Sequence, residues 1–369
     1  MSKVAILLLL AVCVLFSGCY TLTQGTIMLS YLARSVPLES LKTTKPSLDA
    51  EDAETEKDGE AVFDDRRFVE LVQDIRRFAT EELGLKKTKN YTRYVSIDRS
   101  YLAAVVSASA ADSFTRYEWK YPVVGTMPYK GFFNVADARK ERAKLEKKGL
   151  DVWIRGVDAF SSLGWFRDPL YSYMRDYSPY RLADLIIHES LHATVFLKGQ
   201  VQFNEELAEF VGGEGARLYM ESRFGVDSEE YQAMMSAEEN NHHYVTFIQE
   251  LIAELQKLYQ SDTDRDEKLI KKEAIIKAAQ ERFEAEYESR FTGENFRGFS
   301  AMTVNNAYLE LYRLYYSEDN FYADLYEKSG ADLPAFIAAA KTMQAGAGSL
   351  KKGPSGRERL AQALNLFSF

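Results

Sequence analysis

The chain has 369 residues, 46% of them hydrophobic and 27% charged, with a formal charge of −9. That length and apolar content support a sizeable core in one large domain or two modest ones, and exclude a disordered or fibrous chain. The acidic balance argues against a general affinity for nucleic-acid phosphates, which requires clustered cations to displace counterions.

Lys3 precedes an apolar run from Val4 to Phe16, long enough for a signal-peptide core and too short to span a bilayer comfortably. The run ends in LFSGC, which resembles the lipobox of bacterial lipoproteins. The resemblance implies that residues 1–18 leave as a signal peptide and that Cys19 receives a diacylglycerol on its sulfur and an acyl chain on its new amine. Several chains make a stable membrane tether, at about 0.8 kcal/mol per buried methylene. Tyr20 supplies no retention signal of the aspartate type, so the expected location is the periplasmic face of an outer membrane. Cys13 and Cys19 are the two cysteines of the chain, and with one removed and the other acylated a metal site has to use histidine and carboxylate.

Residues 19–65 read as an anchored segment running into an acidic, solvated linker from Thr43 to Asp65. Phe68, Val69, Leu71, Val72, Ile75, Phe78 and Leu83 fit one face of a helix over 66–85, ended at Gly84. The stretches TRYVSI, YLAAVVSAS, YEWKYPVVG and DVWIRGV are β-prone, with a helix expected from Asn134 to Lys148, so this part reads as a small sheet with a helix packed on it. Beyond Gly164 the pattern is almost wholly helical. Ser178-Pro179 make a good helix start and Lys198-Gly199 a good stop, Asn204 is placed to cap a second helix to about Phe224, and helical patterns continue over 228–290, 301–316 and 333–343. The Gly, Lys and Ser content of 345–357 reads as a mobile segment. The expected class is α+β, predominantly α, with residues 66–369 as one domain: an α/β part to 160 and a helical part from 161 that carries the site.

The site is HESLH. His188 and His192 on a helix fall roughly 40° apart around the axis and about 6 Å along it, so both imidazoles reach one ion. In the HExxH pattern two neutral imidazoles bind zinc and the intervening Glu189 acts as general base on a water rather than as a ligand. A catalytic zinc needs a third protein ligand and one open position. Thirteen residues after His192, FNEELAEF can return antiparallel and bring Glu205 under the histidines, with Glu206 and Glu209 as rivals. Low histidine usage, four in the chain, and the apolar flanks LADLII and ATVF set this motif apart from a chance match. His242 and His243 face different directions on their helix and read as surface; Tyr308 and Tyr129 could donate to an oxyanion.

IRRFATEELGL, YPVVGTMPYKGFF, AFSSLGWFRDPL, LIIHESLHATVFLKG, FNEELAEFVGGEGARLYM and VNNAYLELYRLY together resemble the predicted bacterial zinc aminopeptidases, a group of lipoprotein-like gluzincins. The resemblance runs from about 66 to 340 and implies a zincin-like core, zinc on His188, His192 and Glu205, Glu189 as base, and a peptide substrate whose free amine an acidic residue receives; Glu206, Glu209 and Glu214 are available. The acidic stretch 43–65 and the charged helical region 256–290 depart from what the resemblance leads one to expect. Two other readings use the same ion: a non-catalytic zinc-binding lipoprotein, and a hydrolase of another amide such as a cell-wall crosslink.

Overall fold

The computed structural model describes residues 18–43, 65–121, 125–158, 167–315, 320–345 and 355–367. The expected signal-peptide core and acidic linker fall on 1–17 and 44–64, outside the described residues; Cys19 lies in the first turn of a described helix, α1 (Gly18–Arg34). No described helix is long and apolar enough to cross a membrane. The class is mainly helical α+β, as the pattern predicts.

In chain order the elements after α1 are β1 (Val36–Pro37), α2 (Asp65–Glu81), β2 (Arg93–Val95), β3 (Ala103–Ala110), β4 (Trp119–Tyr121), β5 (Gly125–Met127), β6 (Tyr129–Phe132), α3 (Val135–Glu146), β7 (Leu150–Val157) and β8 (Leu170–Tyr171). Then come α4 (Pro179–Thr194), α5 (Val201–Phe224), α6 (Glu229–Gln260), α7 (Arg265–Arg290), α8 (Asn306–Tyr315), α9 (Phe321–Lys328), α10 (Leu333–Ala345) and α11 (Gly356–Phe367). These elements form two compact units that interleave along the chain: the described residues within 1–33, 101–159 and 233–319 make one, and those within 34–100, 160–232 and 320–369 the other.

In the first unit β3 is the central strand, paired antiparallel with β6 on one side and β7 on the other, so that Ser107 faces Tyr129 and Trp153. Its small side chains are buried on both faces, as a strand covered by helices requires. One face meets α3 through Val106, Phe132, Ala138, Leu145 and Val152. The Asn134 side chain caps α3 by accepting from Ala136 N at 2.9 Å, which bears out the predicted start. α6, α7 and α8 share a second, aromatic core around Tyr244, Phe283 and Phe299. The long pattern over 228–290 is two helices, because Asp264 stops the run and caps α7 by accepting from Glu267 N at 3.0 Å.

The second unit carries the sheet β1-β2-β8, with β1 antiparallel and β8 parallel to β2. TRYVSI therefore belongs to a different sheet from β3 to β7. α2 buries Phe68, Val69, Val72, Ile75 and Phe78, and it ends before Gly84, whose φ of 70° is the left-handed value favourable to glycine. The α4–α5 pair is the most extensive helix packing in this unit. α9 and α11 were not legible in the hydrophobic pattern. The expected mobile stretch 345–357 is corrected at its end: 346–354 lie outside the described residues, but Ser355 caps α11, its Oγ accepting from Glu358 N at 3.3 Å while Glu358 Oε2 accepts from Ser355 N at 2.7 Å.

Candidate metal centre

α4 starts where its sequence predicts, with Ser178 Oγ accepting from Arg181 N at 3.2 Å and Pro179 in the first turn, where the missing N–H costs nothing. Leu182, Ala183, Ile186, Ile187 and Leu191 bury one side. Tyr180, Asp184, His188 and His192 follow one another at intervals of four along an adjacent face. The helix ends at Thr194, not at Lys198-Gly199. Thr194 Oγ1 donates to Ser190 O at 2.6 Å and accepts from Lys86 N at 2.9 Å, and an extended Val195 then turns into the core with Leu197.

The short connection that follows is held by Asn204, which does not cap α5. It lies one turn inside the helix, 3% exposed, where Oδ1 accepts from Leu197 N at 2.8 Å and Nδ2 donates to Leu197 O at 2.9 Å. One side chain thus satisfies both backbone groups of a buried connecting residue. Gln200, at the cap position, makes no side-chain capping bond. Farther along, Gly212 and Gly215 let α5 close on α4; a Cβ at Gly215 would stand 3.0 Å from Ile187 and from Leu83. Helix-interior glycine costs about 1 kcal/mol relative to alanine, so these positions are explained by close approach and not by propensity.

This packing brings His188, His192 and Glu205 together. Their facing ligand atoms lie within 4.8 Å of one another. The two Nε2 atoms are 3.2 Å apart, with ring planes at 81°. Glu205 Oε1 stands 3.6 Å from His192 Nε2 and Oε2 stands 3.8 Å from His188 Nε2. The facing imidazoles of His188 and His192 hold the Glu205 carboxyl down at about 2 against the opposing effect of burial. Burial disfavours the His188 cation, yet the Glu205 carboxylate and the charges of Glu189 and Asp184 outweigh it and move that imidazole up.

The donor set fits a divalent ion such as zinc. Two nitrogens each about 2.0–2.1 Å from one tetrahedral ion stand about 3.3 Å apart; His188 and His192 already have nearly that separation. Among the described residues Glu189 Oε2 is a second indication, being buried with no hydrogen-bond partner beside the histidines. A buried carboxylate oxygen in that state is rare in native proteins and is typical of a site completed by water, an ion or substrate. His192 Nδ1 is likewise buried without a partner.

Of the two rivals for the third position, Glu206 is engaged by other partners. Glu206 Oε2 accepts from Arg357 and from the Tyr322 hydroxyl, and Oε1 accepts from Gln202. Glu214, a candidate only for receiving a substrate amine, pairs with Arg217 at 2.6 Å. Glu209, one turn beyond Glu205, makes no such pair; burial raises its carboxyl, His188 opposes and Asp184 adds to the rise.

Tyr91 is a residue that the sequence reading did not single out. It holds a left-handed φ of 59° and is buried, with its N–H donating to Asp168 O at 2.7 Å. Burial pushes its phenol well up and the charge of Glu189 adds to the rise, so it stays a neutral hydrogen-bond donor. The other candidates all lie in the first unit. Tyr129 is on β6; Tyr308 shares hydrogen bonds with the Tyr244 and Tyr312 hydroxyls; His242 is exposed and His243 sits 3.7 Å from Glu239.

The chain belongs to the family described as "Putative aminopeptidase", whose model matches residues 48–352. That span includes His188, Glu189, His192 and Glu205 and stops short of α11. No curated protein and no solved structure matches the chain.

Proposed function

We propose that this member of the aminopeptidase family is zinc-dependent, with His188, His192 and Glu205 as metal ligands, Glu189 as general base, and a lipid tether at Cys19 that holds it in a bacterial cell envelope. The observation that supports the reading is the convergence of two imidazoles and one carboxylate, 3.2 to 3.8 Å apart, beside a buried and unpartnered Glu189 oxygen. Two histidines and a glutamate with a position left over is the donor pattern of catalytic zinc rather than structural zinc. Zinc so held lowers the pKa of a water and polarises the scissile carbonyl.

The chain's own residues supply the rest. Glu189 Oε2 takes a proton from the attacking water and returns it to the leaving nitrogen. The close-packed α4 and α5 keep the donors in place, so no reorganisation is needed when charge develops.

The test is a library of peptides with free and with acetylated amino termini, incubated with purified protein before and after chelation. The reading requires cleavage of free-amine peptides that chelator abolishes and zinc restores. Protein with stoichiometric zinc that cleaves no peptide would sink the enzyme reading, and equal cleavage of acetylated peptides would replace aminopeptidase by endopeptidase. The tether is tested separately: Cys19→Ser is expected to move the protein from the membrane to the soluble fraction.

A further inference from the structure

The first turn of α5 is held from outside itself. Gln200 occupies its cap position without capping it, because its Oε1 accepts from Gly356 N at 2.6 Å. Gly356 sits against Phe203 so closely that a Cβ there would meet the ring at 2.4 Å. Next to it Arg357 donates to Glu206 Oε2 through Nε at 3.1 Å and Nη2 at 2.8 Å. The Arg357 guanidinium also lies 4.9 Å from the Phe321 ring centre and 5.4 Å from that of Tyr322, whose hydroxyl donates to the same Glu206 oxygen at 3.2 Å. An open cavity of about 440 Å³ lies among Gly199, Gln200, Phe203, Glu206, Gly356 and Arg357, beside these contacts. α11 behind Arg357 is itself fixed, with Leu360 and Leu364 buried.

Glu206 is adjacent to Glu205, and every hydrogen bond that holds Glu206 restrains the same helical turn. We propose that Arg357 is a positioning residue for the metal centre, acting through Glu206 to fix the place of Glu205. The inference rests on the reading of Glu205 as a metal ligand. It also gives α11, which lies beyond the residues matched by the family, a part in the site. Groups that hydrogen-bond a metal ligand directly contribute about 10-fold to 100-fold in metal affinity; Arg357 acts one residue removed, which sets about 10-fold as the upper end of its effect.

The experiment measures the zinc dissociation constant of the full chain by competition with a chromophoric chelator, together with the visible spectrum of the cobalt-substituted protein. Arg357→Ala and Glu206→Gln are expected to weaken zinc by more than twofold and up to about tenfold and to alter the cobalt spectrum, with Arg357→Lys recovering part of the loss. In a Glu205→Ala background Arg357→Ala is expected to add nothing, since the residue through which it acts is gone. If Glu205→Ala weakens zinc but Arg357→Ala changes it less than twofold, or changes it equally in both backgrounds, the positioning role is wrong. If Glu205→Ala leaves zinc affinity unchanged, the ligand assignment itself has failed, and this inference falls with it. Circular dichroism separates these outcomes from a variant that does not fold, in which case Glu206→Gln carries the test.

Discussion

A Cβ placed on Gly212 would stand 3.1 Å from the Cβ of His188 and 2.5 Å from an Asp184 carboxylate oxygen. The convergence of His188, His192 and Glu205 therefore depends on an absent side chain as much as on those present, because α5 passes directly against the turn of α4 that carries the first histidine.

Gly212→Ala is expected to force the two helices apart, lowering stability by about 1–3 kcal/mol and weakening zinc binding. Gly213→Ala is the matched control: the nearest atom to its Cβ is the Tyr180 hydroxyl at 3.9 Å. With space available and helix propensity improved, it is expected to stabilise by up to about 1 kcal/mol. Thermal melts and zinc titrations on both variants check the pair, and equal behaviour would remove the argument from close approach.

Glu189→Gln keeps the shape of the side chain and removes its capacity to accept a proton. Loss of about 10²-fold to 10⁴-fold in kcat is expected, with zinc content unchanged. Metal analysis alongside peptidase assays separates this from loss of the ion; a variant retaining more than a tenth of wild-type turnover would take the base role from Glu189.

Asn204→Ala removes both bonds to the buried Leu197 backbone. Leaving those groups unsatisfied is expected to cost about 1–3 kcal/mol. The connection between the histidine helix and the glutamate helix should loosen as well, so hydrogen exchange at 195–200 is expected to rise. Unchanged exchange there would show that the connection is held by other contacts.

The pH dependence of the metal-free protein has a defined sign. The Glu205 carboxyl drops from an ordinary 4.5 to about 2, so its contribution is present above 4.5 and is lost as pH falls from there toward 2. His188 is raised above an ordinary 6.5, so its contribution is present below 6.5 and is lost as pH rises through the raised value. Their joint contribution is thus greatest between 4.5 and 6.5. With zinc the trend inverts at the upper end, since the metal requires neutral imidazole and its stabilisation grows as His188 loses its proton. Melting temperatures of wild type and Glu205→Gln against pH, with and without zinc, measure both trends. A difference between the two proteins that keeps growing from pH 5 to 9 without metal would contradict the assignment.

What the sequence made legible here is local. Ser178-Pro179, Asn134 and the four-residue spacing of the histidines act through neighbouring backbone, and the structure places each where its chemistry predicts. Glu205 was preferred over Glu206 and Glu209 from its NE segment and spacing alone; that Glu206 is occupied by Arg357 and Tyr322 was out of reach, because no spacing rule connects those residues to it. Asn204 was misread as a cap because capping and bridging a buried connection use the same side-chain chemistry. The Ser355-to-Glu358 capping box was available in SGRE and was masked by the Gly and Lys content before it. The left-handed backbone of Tyr91 leaves no signature in sequence, since its conformation is imposed by the surroundings.

The interleaving of the units has a consequence for cooperativity. Gly84 accepts from Lys341, Gln200 from Gly356, and Glu206 from Arg357, so the unit that carries the histidines is closed by contacts between segments 257, 156 and 151 residues apart. Cutting the chain between α5 and α10 would leave the HESLH motif and Glu205 on their helices and remove all three contacts at once.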